Sequence, residues 1–314
     1  MKYRLLKSFF YLNFCIILLN VSPIVHADTG ANRHHLTGHA ESKIEVKYFN
    51  AGTSKFNTGS STVDTSGILL EAEYENNAMV FSFGYENWNY QWGSPEYLPF
   101  VSGVARNPWS NFTTLQFGFA YEHEINEQWE FSYYIEAEAS YEKQISNSNE
   151  YEAGVDFSYD ASKAWNLTLN INYEYLDSEG GEIGIDFGIE WNHDKKSGWS
   201  GEFEISSEFP ETSITYHFIK EFSATIFYNE SGTNTIRLSD TSPVIAMQAG
   251  YFEDEYNSIG IQFSYELANE GKLSLLIQQN MNRTLNFTDS SGEINTTYKF
   301  DDVIELSIKY SYVF

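Results

Sequence analysis

The chain has 314 residues, 44 of them acidic and 18 basic, for a formal net charge of −26. That balance excludes the basic surface that nucleic-acid binding requires, and a negative mean hydropathy excludes a bundle of transmembrane helices. Aromatic residues make up 17% of the chain, with only 6 Pro, which excludes intrinsic disorder.

Residues 1–27 read as a cleaved secretory signal peptide. Lys2, Arg4 and Lys7 form a basic start, an apolar stretch runs from Phe9 to Leu19, and Val25-His26-Ala27 offers a cleavage site. The single cysteine, Cys15, lies inside the apolar stretch rather than just behind it, so a lipoprotein site is not expected. The mature chain then has no disulfide and no thiol chemistry. Residues 28–41 read as a short polar tail on the periplasmic side. Its His34, His35 and His39 form a tract able to bind divalent metal, but a solvated tail is the simpler reading. No metal or other cofactor is expected.

Residues 42–314 repeat one pattern: alternation of apolar and polar residues at period two, which puts each set on its own sheet face. Fourteen strands are expected, near 43–51, 66–76, 78–90, 112–123, 129–142, 150–160, 164–176, 181–192, 198–207, 212–218, 221–229, 257–267, 271–281 and 298–314. Twelve or sixteen are alternatives, because Phe218 to Phe222 leaves little room for a turn. The strands have about the 9–11 residues that a tilted strand needs to cross a bilayer. Short turns alternate with long connections near 52–64, 93–111, 230–257 and 283–297, the asymmetry of periplasmic turns and external loops. Tyr121, Trp129, Tyr159, Trp165, Trp191 and Trp199 flank the short turns and read as an aromatic girdle at headgroup level. These features predict an all-β fold: a transmembrane, antiparallel, up-and-down β-barrel.

If the aromatic set faces lipid, the other set faces the lumen, and it is acidic. Candidate selectivity residues are Glu71, Glu73, Glu130, Glu136, Glu138, Glu152, Asp156, Asp186, Glu190, Glu202 and Glu204. Lys47 and Lys309 are the clearest basic residues on that face. A dry core could not hold so many carboxylates, whereas a water-filled one could. Tyr134, Phe227 and Leu276 also point inward and would narrow a pore. Trp88, Tyr90 and Trp92 fall on the opposite parity to Phe83 and Tyr85. A bulge near Asn87 would return them to the girdle, the preferred reading; without one they face inward near the mouth, where they could stack on sugar rings.

At the chain end Ile304, Leu306, Ile308, Tyr310, Tyr312 and Phe314 alternate, with Phe314 terminal. This strand resembles the C-terminal β-signal of bacterial outer-membrane proteins, in which Tyr310, Tyr312 and Phe314 would be read by the barrel assembly machinery. The resemblance implies a Gram-negative outer membrane, with its lipid and lipopolysaccharide as surroundings. In length, strand count and charged interior the mature chain is also similar to the small monomeric porins of the OmpG-like type. Those porins oppose their lumen acids with arginines, and this chain has few basic residues to do so. The expected function is passive diffusion of small hydrophilic solutes, cationic or neutral, through a monomer. The alternatives are a plugged structural or surface-recognition barrel working through its external loops, or, with less support, an outer-membrane hydrolase. No serine with a nearby histidine and no zinc or phosphate-binding signature stands out, so no enzyme is expected.

Overall fold

The computed structural model describes residues 40–57, 60–98, 108–177, 180–192, 196–205, 210–232, 235–241, 248–268, 270–289 and 294–314. The signal peptide, His34, His35 and His39 lie outside them. The strands are β1 (Ala40–Lys55), β2 (Thr62–Asn76), β3 (Met79–Gly93), β4 (Asn111–Asn126), β5 (Trp129–Tyr141), β6 (Asn149–Ser162), β7 (Trp165–Leu176) and β8 (Gly180–Trp191). They continue as β9 (Gly198–Ile205), β10 (Pro210–Ile219), β11 (Phe222–Gly232), β12 (Ile236–Arg237), β13 (Tyr251–Glu266), β14 (Gly271–Thr288), β15 (Ile294–Lys299) and β16 (Val303–Val313). All but β12 and β15 pair antiparallel in a ring of fourteen. The ring closes where β1 meets β16, from Lys43 opposite Val313 to Ala51 opposite Glu305. Closure joins the first ring strand to the last, so the sheet has no terminal edge strand.

Every ring strand corresponds to an expected one. The tight connection between Phe218 and Phe222 is made by Lys220 and Glu221 alone, with a bulge between His217 and Ile219 absorbing the mismatch. The turn between β2 and β3 places Asn77 at φ 57°, a left-handed conformation that asparagine tolerates well. The chain end is fixed to the start of the barrel by Ser42 and Phe314, which exchange backbone hydrogen bonds of 2.9 and 2.8 Å.

The outward face carries an unbroken belt of apolar side chains. On β16, Ile304, Leu306 and Ile308 are each more than half exposed, and each neighbouring strand contributes comparable residues, such as Val46 and Tyr48 on β1. In water such a continuous patch would drive association; against hydrocarbon it is the matching surface.

Among the described residues the strands differ in length. β14 has 18 residues and β1 and β4 have 16, whereas β9 has 8 and β10 has 10. The expected loops near 52–64 and 283–297 are in large part strand, and 230–257 is so in part: β1, β2, β13 and β14 continue past the belt, and β15 pairs with the end of β14. Bulges hide these extensions from a period-two reading. The β13–β14 register shifts between Glu255 and Asn257, and Asn282 turns at φ 55°. Beyond that point Arg283, Leu285 and Phe287 point into the barrel.

Candidate functional site: a divided lumen

The predicted lumen acids all alternate with belt residues, so they point inward, and none of them is buried: each touches solvent inside the barrel. Strand register sets several carboxylates directly opposite one another. Glu136 on β5 faces Glu152 on β6, Glu152 faces Glu174 on β7, and Glu174 faces Glu182 on β8, forming one row across four strands. Glu190 faces Glu202, and Glu204 faces Glu211. Directly opposed like charges destabilise a sheet, so the arrangement needs water and counter-ions to screen it.

Neutral donors hold parts of this row. The Tyr134 hydroxyl donates to Glu152 Oε1 at 2.6 Å, and Asn172 Nδ2 donates to the same oxygen at 2.7 Å. Asn170 Nδ2 donates to Asp156 Oδ1 at 2.6 Å, and Gln116 Nε2 donates to Glu136 Oε2 at 2.9 Å. Such bonds orient the carboxylates without cancelling their charge. Tyr134 and Phe227 were expected to narrow the bore. Instead they lie flat on the wall, covering glycines of the next strand: a Cβ on Gly154 would come 2.5 Å from the Tyr134 ring, and one on Gly260 2.5 Å from Phe227.

The upper lumen on one side is dry. Trp88, Tyr90 and Trp92 are 8%, 1% and 8% exposed and sit in an aromatic core with Phe49, Phe112 and Phe252. The β3 register runs unbroken past Asn87 on both edges, so the bulge that would have placed these rings in the outer girdle does not occur. Nor is a ring face left for a sugar. Tyr90 stacks between Trp88 and Trp92 at 6.4 and 6.1 Å, while Phe49 covers Trp88 at 4.5 Å and Trp109 meets Trp92 edge-on at 5.1 Å.

This core crosses the barrel. Phe252 on β13 lies 5.2 Å from Phe112 on β4 and 5.8 Å from Tyr90. At its centre is a buried ion pair that the sequence did not reveal. The Arg283 guanidinium donates to both carboxylate oxygens of Asp254, through Nε at 2.8 Å and through Nη2, which also donates to Thr65 Oγ1 at 3.0 Å. The Tyr90 hydroxyl donates to Asp254 Oδ2 at 2.9 Å. Arg283 and Asp254 are 2% and 0% exposed. An arginine beside the alternating apolar Leu285 and Phe287, in so acidic a chain, is the one trace of this pair in the sequence.

A second tie spans the mouth. β12 pairs with β13 through Ile236 opposite Phe252 and with β5 through Arg237 opposite Tyr141. The Glu142 amide donates to the Arg237 carbonyl at 2.9 Å, and the Ser239 amide donates to Glu142 Oε2 at 2.9 Å.

The expected girdle residues Trp129, Trp165, Trp191 and Trp199 face outward at the short-turn end, 42%, 47%, 37% and 55% exposed. Tyr159 packs on Trp129 at 4.5 Å, and Tyr121 stacks on Tyr133 at 5.4 Å in the same outward layer. Tyr310 is in the belt, and Tyr312 stacks on Phe314 at 5.8 Å.

No protein-family description and no curated protein matches the chain. Among solved structures it is similar to the toluene transporter TodX of Pseudomonas putida, with a TM-score of 0.48 and 8% identity over 86% of this chain and 89% of that one. It is also similar to an outer membrane channel of Pseudomonas putida F1, with a TM-score of 0.43 and 10% identity over 92% and 100%. A third similar structure is the NanC porin, with a TM-score of 0.39 and 13% identity over 86% and 98%.

Proposed function

We propose that the chain spans a bacterial outer membrane as a monomer and works as a porin-like channel. Small hydrophilic solutes, cationic or neutral, diffuse through its acidic lumen. The row Glu136–Glu152–Glu174–Glu182, inward-facing and solvent-touched, carries this reading. Its charges require a wet interior, and a wet acidic interior attracts cations and repels anions. Tyr310, Tyr312 and Phe314 are proposed as the assembly signal, the outward tryptophans as the girdle, and lipopolysaccharide as the outer neighbour. No catalytic role is proposed.

The test is single-channel recording of the refolded chain across a KCl gradient. The expected result is a stable conductance with a cation-selective reversal potential, weakened when Glu136→Gln and Glu138→Gln are combined. A folded barrel that stays silent at every salt concentration would sink the proposal. The crossing by β12 is the observation that favours the other reading, a closed barrel acting at its outer face. Silence would select that reading.

A further inference from the structure

Of the two ties, the aromatic core fills one side of the lumen and β12 runs across it. Going round the ring, β5 and β13 are diametrically opposed: β6 to β11 lie between them on one arc, and β14, β16 and β1 to β4 on the other. β12 joins the two as the middle strand of a three-stranded patch. Hydrogen-bonded strands are about 4.8 Å apart, so β5 and β13 come within roughly 10 Å of each other at this level. The mouth is therefore divided in two.

The two compartments differ in kind. The arc of β14, β16 and β1–β4, with the segments joining its strands, supplies the aromatic core, to which the bridge adds Ile236, Leu238 and Phe252. Among the described residues, none from β6–β11 joins that core. Even polar inward residues of β14 and β16 are buried, with Gln278 7%, Asn280 2%, Glu305 3% and Ser307 2% exposed. On the other arc Glu182, Glu202 and Glu211 are exposed.

We propose that the conducting path is eccentric: above a shared inner vestibule it follows the β6–β11 arc, and Glu182 and Glu202 help to set its selectivity. Above that vestibule, which Glu71 and Glu73 of β2 reach, the opposite arc acts as a solid wall. This rests on the channel reading above, and it differs from a central pore in which acids all round the ring, Glu71 and Glu73 included, would matter equally.

Cysteine accessibility tests it directly, because the sole native cysteine, Cys15, falls in the expected signal peptide. Glu182→Cys and Glu202→Cys report on one arc, Gln278→Cys and Ser307→Cys on the other. Each refolded variant is first checked for folding by its heat-modifiable gel mobility, then exposed in the bilayer to a cationic methanethiosulfonate. The thiolate displaces sulfinate and acquires a bulky ammonium group through a mixed disulfide. The expected result is a conductance loss of about threefold or more at Glu182 and Glu202, and a change of less than about a tenth at Gln278 and Ser307. Equal losses on both arcs, or losses confined to Gln278 and Ser307, would overturn the eccentric path while leaving the channel standing. If the unmodified protein is silent, the channel reading fails and takes the path with it.

Discussion

The two arcs of this barrel share one outer surface and have opposite interiors. Outside, both show the same belt, because both face the same solvent. Inside, apart from the solvent-touched Glu71 and Glu73 near the short-turn end of β2, β14, β16 and β1–β4 close over aromatic rings and one buried ion pair, while β6–β11 present carboxylates to water. The dry arc gains from apolar burial and carries the longest strand, 18 residues in β14. The acidic arc gives up stability through opposed charges. On the proposed reading the outer alternation is a requirement of the membrane, whereas the inner residues are free to divide the labour between rigidity and passage.

The sharpest way to break the comparison is at the centre of the dry arc. Arg283→Met leaves the Asp254 charge buried beside the Tyr90 hydroxyl without its guanidinium counter-charge, and is expected to cost about 3–5 kcal/mol. Unfolding in urea, followed by tryptophan fluorescence, measures it. Replacing the network together, as Arg283→Met with Asp254→Leu and Tyr90→Phe, removes the charges and the stranded donor, and should recover most of that loss. A triple variant as unstable as the single one would mean that packing around Arg283, not its charge, holds the two walls together.

The same contrast decides what could be read from sequence. The ring strands were legible because an apolar outer face imposes a strict period of two on the outward positions, as in Phe81 and Phe83 against Phe119 and Phe117. The inward parity of Glu136, Glu152 and Asp186 followed from that. The dry arc was not legible, for two physical reasons. The one bulge between β13 and β14 adds a residue to β14 near Asn282 and shifts its parity, so Arg283, Leu285 and Phe287 turn inward where the even positions did before. The partners are also distant in sequence: Tyr90 meets Asp254 across 164 positions, and Arg283 meets Thr65 across 218. No local pattern encodes such a meeting, and the polar Asn, Thr and Ser of 283–297 read as loop although β14 and β15 pair there.

A smaller effect is expected where an aromatic lies on the acidic arc without making it dry. Gly154→Ala places a methyl group within 2.5 Å of the Tyr134 ring and hydroxyl. The ring must lift from the wall, which pulls its hydroxyl away from Glu152, now 2.6 Å distant. The expected cost is about 1–3 kcal/mol in stability, read by the same urea unfolding, together with a reduced conductance as the ring swings into the bore. If stability falls and conductance holds, the freed ring has found another place on the wall.

The smallest effect has the opposite sign and is the most specific to charge. Glu174 faces Glu152 on one side and Glu182 on the other. Glu174→Gln keeps the side-chain shape and removes two like-charge oppositions, so the variant should be more stable by about 0.2–1 kcal/mol per opposition. Salt decides whether charge is the cause. Facing Cβ atoms on neighbouring strands are about 5 Å apart, and the screening length falls from about 10 Å at 0.1 M salt to about 3 Å at 1 M. The gain should therefore appear in urea titrations at low salt and vanish at 1 M, while cation selectivity in the bilayer drops. A gain that survives 1 M salt would mean that the carboxylate is disfavoured for a reason other than its neighbours' charge, and the row Glu136–Glu152–Glu174–Glu182 would lose its standing as the element that holds the lumen acidic.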